Sequence, residues 1–491
     1  MVAVLGTSGR KHRCLVAPVH ILPKGLAVEP IVRVFTRMRR IRTLSAGLAA
    51  LFLGLNVLSG PISHPAPVFA QNGGDEAENQ GDSLPEVPAE RLNIDESQYD
   101  PPLTDAEKMQ QWKRSNGEVK FKTALKAEGL GNADRETITK AVQYYLYSMT
   151  VKEERGRLQA IAEKLLDAVN SPRLTTNDAR RYANDEIVRI ARELLNQPRE
   201  VRLNALVLAA SLMEDPSAEP PRPYAGAIPL FVDVLNDPEQ FVDSKIWAVL
   251  GLARICRVGI IGVTERNTAA VNLVAALNAP DAAKPENWWY RFRIVYALGD
   301  TGLAYNLERQ PIVIDALVGV LANRKENWMI RSEAARSVTR IPWQRADSVN
   351  VPLVTYLVSQ LARDMAAARN ANLKAPYWRY CFVQVYLRFK PPGAAERENN
   401  LSLLEQVTRP HLASNQPMVQ AAYDAVMPVV NSVTGSPLLN PAPTSPDALN
   451  ALDEWLKDNV PDDRKPTPSS KQVDGSERGA SPMADNLRPR Q

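Results

Sequence analysis

The chain contains little of the residue types that catalytic and metal sites most often require. It has 491 residues but only 4 histidines and 3 cysteines. If export removes the first 70 residues, His411 is the last histidine left, and one histidine cannot supply the cluster that a zinc or iron site needs. The sequence also has no Cys-x-x-Cys-His, no glycine-rich phosphate loop and no Gly-x-Ser-x-Gly elbow. We therefore expect no enzyme activity, no cofactor and no bound metal.

The chain also lacks a real excess of positive charge, although its formal net charge is +4. Nine of the 59 basic residues and one of the 55 acidic residues lie in the first 70, which leaves 50 and 54 and a net charge of −4. The basicity belongs to a leader, so it gives no support to nucleic-acid binding.

The leader has the features of an export signal. A basic segment, 37–42, precedes an apolar core at 44–58, and Val68-Phe69-Ala70 forms a small-x-small cleavage site. We predict a signal region at 1–70, with its core at about 38–70 if translation starts at Met38 rather than Met1. We therefore predict an exported protein, located in the periplasm or cell envelope or secreted. The alternative is retention, with 44–58 as a membrane anchor, although a span needs about 20 apolar residues.

Two segments have the composition of disordered chain. Residues 71–100 hold nine acids against one base, with few apolar side chains. We predict an acidic disordered linker at 71–115 and a disordered tail at 461–491.

Between them, short phrases return at a nearly fixed interval. Leu-Asn-x-Pro begins at Leu195, Leu235 and Leu277, in steps of 40 and 42 residues. Glu-Asn-Trp begins at Glu286 and Glu326, a step of 40. A fixed period of this length is typical of stacked helical pairs. First helices are predicted at about 184–196, 226–236, 268–278, 311–322, 351–369 and 400–413. Second helices are predicted at about 200–213, 242–257, 287–299, 327–340, 376–389 and 417–432.

These features resemble the HEAT-repeat family. The resemblance is carried by the period, by the Leu-Asn-x-Pro endings and by second-helix stretches such as 246–253 and 294–302, and it departs at 351–399. It implies an all-α fold, a right-handed α-α superhelix or solenoid, over 116–435, and we assign 436–460 to a C-terminal capping helix. Cys256 and Cys381 would then lie three repeats apart, on the order of 25–30 Å, too far for a disulfide. We predict two free, buried thiols.

The candidate partner site consists of tryptophans and arginines on the second helices: Trp289, Arg291, Arg293, Trp328, Arg331, Trp378 and Arg379. One interpretation is structural, with Asn287 and Asn327 as N-caps and the tryptophans packed between repeats. The other is a ladder along one groove, since tryptophan and arginine dominate binding hot spots.

We predict a non-enzymatic scaffold whose concave face binds a protein or peptide with an acidic surface. The alternatives are a membrane-tethered envelope component and a tetrapyrrole-handling enzyme, since some HEAT-like proteins resemble bilin lyases. The oligomeric state stays open.

Overall fold

The computed structural model describes residues 100–389, 401–436 and 441–473, all within the unit Glu86–Gln491. These residues are mostly helical, which confirms the all-α prediction. Strand pairing among them consists of one short antiparallel ribbon, β1 (Met213–Asp215) with β2 (Arg222–Pro223). The predicted export signal, including 44–58, lies outside the described residues. Within the described part, no helix is long and apolar enough to cross a membrane.

Eighteen helices follow one another along the described chain. They are α1 (Ala106–Arg114), α2 (Gly117–Ala124), α3 (Asn132–Ser148), α4 (Leu158–Val169), α5 (Asn177–Glu193), α6 (Arg199–Ser211), α7 (Ile228–Asn236), α8 (Val242–Val258), α9 (Val263–Asn278), α10 (Pro280–Ala283), α11 (Trp288–Asp300), α12 (Ile312–Ala322), α13 (Trp328–Arg340), α14 (Val351–Ala371), α15 (Tyr377–Phe389), α16 (Leu403–Gln406), α17 (Gln416–Thr434) and α18 (Pro446–Asp458).

The longer helices form two rows. In the first row α3, α5, α7, α9, α12 and α14 contact one another in sequence. In the second row α4, α6, α8, α11, α13, α15 and α17 do the same, and each pair is joined by contacts between its two helices, as between α12 and α13. Each helix therefore covers the apolar side of its neighbours, which a single helical pair cannot do alone.

Second-row helices approach one another closely. A Cβ added to Gly299 of α11 would lie 2.8 Å from the side chain of Ser337 on α13, so only glycine fits there. Apart from Met329, which is half-buried, every residue of α13 is buried. The two cysteines lie in this row on α8 and α15, and both are free and buried, as predicted.

The predicted helix at 400–413 is wrong. The structure has only the four residues of α16 in that stretch, followed by a 3-10 helix at Pro410–Asn415. Proline lacks a backbone N–H and disfavours helix in the residue before it, which favours the interruption at Pro410, although α17 accommodates Pro428 in its interior. The side chain of Gln406 holds the break in place, since its Nε2 donates to the carbonyls of Thr339 and Ile341 at 2.9 and 2.7 Å.

Parts of both predicted disordered segments are ordered in the structure. Helix α1 forms inside the predicted linker, 71–115. At the other end, residues 461–473 pack against the first row: Asn350 Nδ2 donates to the carbonyls of Asp463 and Lys465, at 2.9 and 3.0 Å. Its backbone N–H donates to the carbonyl of Pro466. The tail is held by polar contacts, which its low apolar content did not indicate, and 474–491 lies outside the described residues.

Helix α18 contacts both α14 of the first row and α17 of the second. It falls within the predicted capping segment, 436–460, and begins with Pro446 at its first position, which suits a residue without a backbone N–H. Its position brings residues near 453–460 beside α14, where the site described next is found.

Candidate functional site

Four consecutive second-row helices carry a basic residue at their fourth position. The residues are Arg202 on α6, Lys245 on α8, Arg291 on α11 and Arg331 on α13. Arg291 Nη1 donates to the carbonyl of Leu277 at 2.9 Å, and Arg331 Nε donates to the carbonyl of Leu321 at 3.1 Å. Each carbonyl belongs to the last turn of the preceding first-row helix, where carbonyls have no partner within the helix.

The same basic residues pair with an acid or amide from the next pair of helices. Lys245 Nζ lies 3.0 Å from Asp281 Oδ2, and Arg291 Nε lies 2.7 Å from Glu326 Oε2. Arg331 Nη2 lies 3.7 Å from Asp364 Oδ2. One base thus joins its own pair of helices to the following pair.

This arrangement favours the structural interpretation for Arg331, which is too buried to contact a partner, whereas Arg291 is only half-buried. Arg331 is fully buried, and burial lowers its pKa to about 10. Trp328 and Trp378 are only 5% and 2% exposed and contact each other with ring centroids 6.0 Å apart. Both rings therefore lie mostly between helices.

The remaining predicted residues are more accessible. The Arg293 guanidinium lies 4.2 Å from the ring centroid of Trp289, which in turn stacks on Phe292 at 5.2 Å. Trp289 and Arg293 are half-buried and Arg379 is exposed.

The two predicted N-caps also differ from each other. The Asn327 side chain accepts from the backbone N–H of Met329 at 2.8 Å, as a cap does. The Asn287 side chain makes no cap bond, and its Nδ2 donates instead to the carbonyl of Asp281 at 2.9 Å.

A cavity of about 590 Å³ lies where α13 begins, between α14 and α18. We call it the Trp328 cavity. Its lining comprises Arg324, Trp328, Tyr356, Gln360, Arg363, Asp364, Ala367, Ala368, Asp453, Leu456, Lys457 and Val460. Cavities of several hundred Å³ with a few polar groups among apolar ones are typical of small-ligand and side-chain sites.

The α14 residues of this lining recur at helical spacing, so they share one face: Tyr356, Gln360, Arg363, Asp364, Ala367 and Ala368. Arg363 links the two walls, since its Nε and Nη2 donate to the two carboxylate oxygens of Asp453 on α18, at 2.7 and 3.1 Å. This bidentate geometry fixes the width of the cavity as well as joining the helices.

The electrostatics of the inner end are dominated by one carboxylate between two guanidinium groups. Asp364 Oδ2 lies 3.4 Å from Arg324 Nε and 3.7 Å from Arg331 Nη2. Burial raises the pKa of Asp364 above its usual range, against the lowering effect of the nearby arginines.

Sequence reasoning missed a second group, a buried network across α8, α11, α13 and α15. Tyr296 accepts a hydrogen bond from Arg257, and the guanidinium carbons of Arg336 and Arg340 lie 5.4 and 5.3 Å from its ring centroid. Arg340 pairs with Asp300. A signal was available: Tyr296 and Arg336, and likewise Asp300 and Arg340, lie 40 residues apart, one repeat.

The network binds its own charges together. Glu333 is fully buried and accepts a hydrogen bond from the Tyr380 hydroxyl at 3.0 Å. Arg388 Nη1 donates to the carbonyl of Arg336 and to Thr339 Oγ1, both at 3.3 Å. These contacts show that several basic residues of the second-row helices join neighbouring helices to one another.

No group of three or more histidine, cysteine, aspartate or glutamate side chains suited to a metal ion occurs in the described part of the chain. In the comparisons with known proteins, no family model, no curated protein and no solved structure matches this chain. The resemblance to HEAT repeats therefore rests on the sequence phrases and on the two rows of helices.

Proposed function

We propose that this protein is a non-enzymatic scaffold that binds a protein or peptide, with the Trp328 cavity as one point of contact. The observation that carries the proposal is the cavity itself: about 590 Å³, with Trp328 and Tyr356 beside charged groups of both signs. Aromatic and arginine side chains around a partly buried pocket are the composition of binding hot spots.

We further propose that the two rows continue as a right-handed HEAT-like superhelix, with the second row on its inner side. Such a stack presents a long surface to an extended partner. On that surface Trp289, Arg293 and Arg379 remain accessible and would add contacts to those of the cavity.

The partner is expected to be acidic. Arg293 and Arg379, together with Arg324 and Lys457 at the cavity, favour a negative surface, and exposed pairs of this kind weaken with salt. We propose no nucleic-acid partner, since the described chain offers these groups at separate places rather than as one basic stripe.

The export proposal rests on the pattern at 37–70. N-terminal sequencing of the mature protein tests it, with a start at Gln71 as the expected result. A start upstream of Gln71 would remove the cleavage and favour a membrane-held envelope protein.

The binding proposal is tested by closing the cavity. Ala367→Phe places a ring at the exposed edge of the lining on α14, and Ala283→Phe adds the same ring at an exposed position of α10, away from the cavity. Full-length protein, crosslinked in envelope extract at low and at high salt, is analysed for co-purifying proteins. We expect a partner that Ala283→Phe retains and Ala367→Phe loses. Capture of the same proteins by both variants, or of none above background, contradicts the proposal.

A further inference from the structure

The inner end of the Trp328 cavity has more buried N–H donors than acceptors. The indole Nε1 of Trp328, Nε of Arg324 and both Nη atoms of Arg331 are buried and have no hydrogen-bond partner. The acceptor nearest to the arginines, Asp364 Oδ2, forms ion pairs with Arg324 Nε at 3.4 Å and Arg331 Nη2 at 3.7 Å but no well-formed hydrogen bond. Unsatisfied buried donors are costly, so native proteins rarely keep them without a reason.

The charges at this end do not balance either. The bidentate pair of Arg363 with Asp453 neutralises itself. Asp364 then faces both Arg324 and Arg331, which leaves an excess of one positive charge.

We propose that the end of the cavity beside Trp328 binds a carboxylate, which accepts hydrogen bonds from the Trp328 indole and the Arg324 guanidinium. Arg331, stacked 5.2 Å from the Trp328 ring centroid, adds positive charge from behind. The cavity has room for an acidic side chain with its backbone. A carboxylate has two oxygens, which matches the two donors that would bind it, Trp328 Nε1 and Arg324 Nε. The inference rests on the proposed function for its source, an acidic residue of a bound peptide.

The direct test is titration of the full-length protein with acetyl-glutamate-amide, which carries one carboxylate, and with acetyl-glutamine-amide, which is its neutral match. Calorimetry and tryptophan fluorescence are recorded together. We expect a dissociation constant on the order of 1 mM for the glutamate compound, usual for a ligand of this size, and at least tenfold weaker binding of the glutamine compound.

Variants locate the site. Arg324→Met is expected to weaken glutamate binding by at least tenfold, since a charged hydrogen bond is lost, and Trp328→Phe by about fivefold. The matched control is Arg345→Met, whose side chain is 75% exposed and pairs with Asp347 away from the cavity. Asp364→Asn decides the sign of the ligand: it should tighten the binding of an anion and would weaken that of a cation.

The inference is overturned if Arg324→Met binds the glutamate compound as the parent does or if the glutamine compound binds equally well. It is also overturned if inorganic phosphate binds and the glutamate compound does not. Melting temperatures show which variants are folded, and the test requires only that Arg324→Met is folded. If an oligoglutamate peptide binds but Arg324→Met changes nothing, the scaffold stands and the carboxylate site falls. If acetyl-glutamate-amide binds through Arg324 while no protein partner is recovered, the site stands and the scaffold falls.

Discussion

The role of Arg331 allows a sharp test of whether the second-row arginines support the stack or face a partner. Arg331→Met keeps most of the volume of the side chain and removes its charge and its donors. It deletes the hydrogen bond from Nε to the carbonyl of Leu321 at 3.1 Å and the ion pair with Asp364 at 3.7 Å. It also removes the guanidinium that lies over the Trp328 ring, at 5.2 Å.

These losses add up to a large effect. A hydrogen bond to a charged group contributes about 1.5–3 kcal/mol, and removal of one member of a buried ion pair costs roughly 3–5 kcal/mol because the other charge stays buried. Asp364 still has Arg324 at 3.4 Å, which reduces the loss. We therefore expect Arg331→Met to lower the free energy of unfolding by about 3 kcal/mol.

The assay is urea unfolding followed by helical circular dichroism, with Arg379→Met as the control because Arg379 is exposed on the next second-row helix. The control is expected to change stability by less than about 0.5 kcal/mol. A double-mutant cycle with Asp364→Asn should give a coupling of about 1 kcal/mol or more. Equal stability of Arg331→Met and Arg379→Met, or no coupling with Asp364, would refute the structural role.

Four further outcomes follow from contacts and burial elsewhere in the described chain. Asn327→Ala should cost about 1 kcal/mol in unfolding free energy because a helix cap is lost, and the cap assignment fails if the loss is no larger than for Asn323→Ala, which lies in the preceding loop. Asn350→Ala removes the donor to the carbonyls of Asp463 and Lys465, so limited proteolysis should cut between 461 and 473 faster than in the parent; an unchanged rate would contradict the docking. Burial raises the pKa of both Cys256 and Cys381 to about 12, so iodoacetamide at pH 8 should modify neither until urea is added, as mass mapping can show. Because the folded-state pKa of each thiol lies above its ordinary value of 9.0, the native state keeps protons that the unfolded chain loses, so stability should fall as pH rises from 9 towards 12.

The helices could be predicted because the sequence marks their ends. Leu-Asn-x-Pro lies at the end of three first-row helices, α5, α7 and α9, since proline disfavours helix in the residue before it. The same reasoning failed where a proline lies inside a stretch that was predicted to be one helix. Pro410 breaks a stretch that otherwise reads as helical, and the side chain of Gln406, which bonds to the end of α13, then replaces helical bonds.

Which arginines face the solvent could not be predicted from residue type. Arg291 and Arg293 lie two positions apart, about 200° around the helix, so they point to opposite sides. Arg291 caps Leu277, whereas Arg293 lies over Trp289. Arg291 is the fourth residue of its helix, like the bases that join the other pairs, whereas Arg293 is the sixth. This position, and not the basic side chain, distinguishes the two.

The Trp328 cavity depends on contacts that are distant in sequence. Arg363 and Asp453, whose bidentate pair joins its walls, are separated by 90 residues. The pattern of α18 predicted a helix with one apolar face but gave no indication of which side of α14 it would meet. A period of 40 residues fixes neighbours in a row, and α18 lies beyond the last repeat.

The end of the series of fourth-position bases coincides with the cavity, and the coincidence has a physical cause. Arg291 meets Glu326 as a single pair, whereas Arg331 must share Asp364 with Arg324. The next second-row helix, α15, has Tyr380 at its fourth position, so no further base follows in this register. Each earlier base has a partner of its own on the next pair of helices. The positive charge of Arg331 is therefore not fully balanced at α13, and this excess lies beside α18 rather than inside a further repeat. If this is the origin of the carboxylate site, an extra acid there should satisfy it: Ala368→Glu is expected to abolish binding of acetyl-glutamate-amide and to stabilise the free protein, and a variant that still binds with parental affinity would break the link.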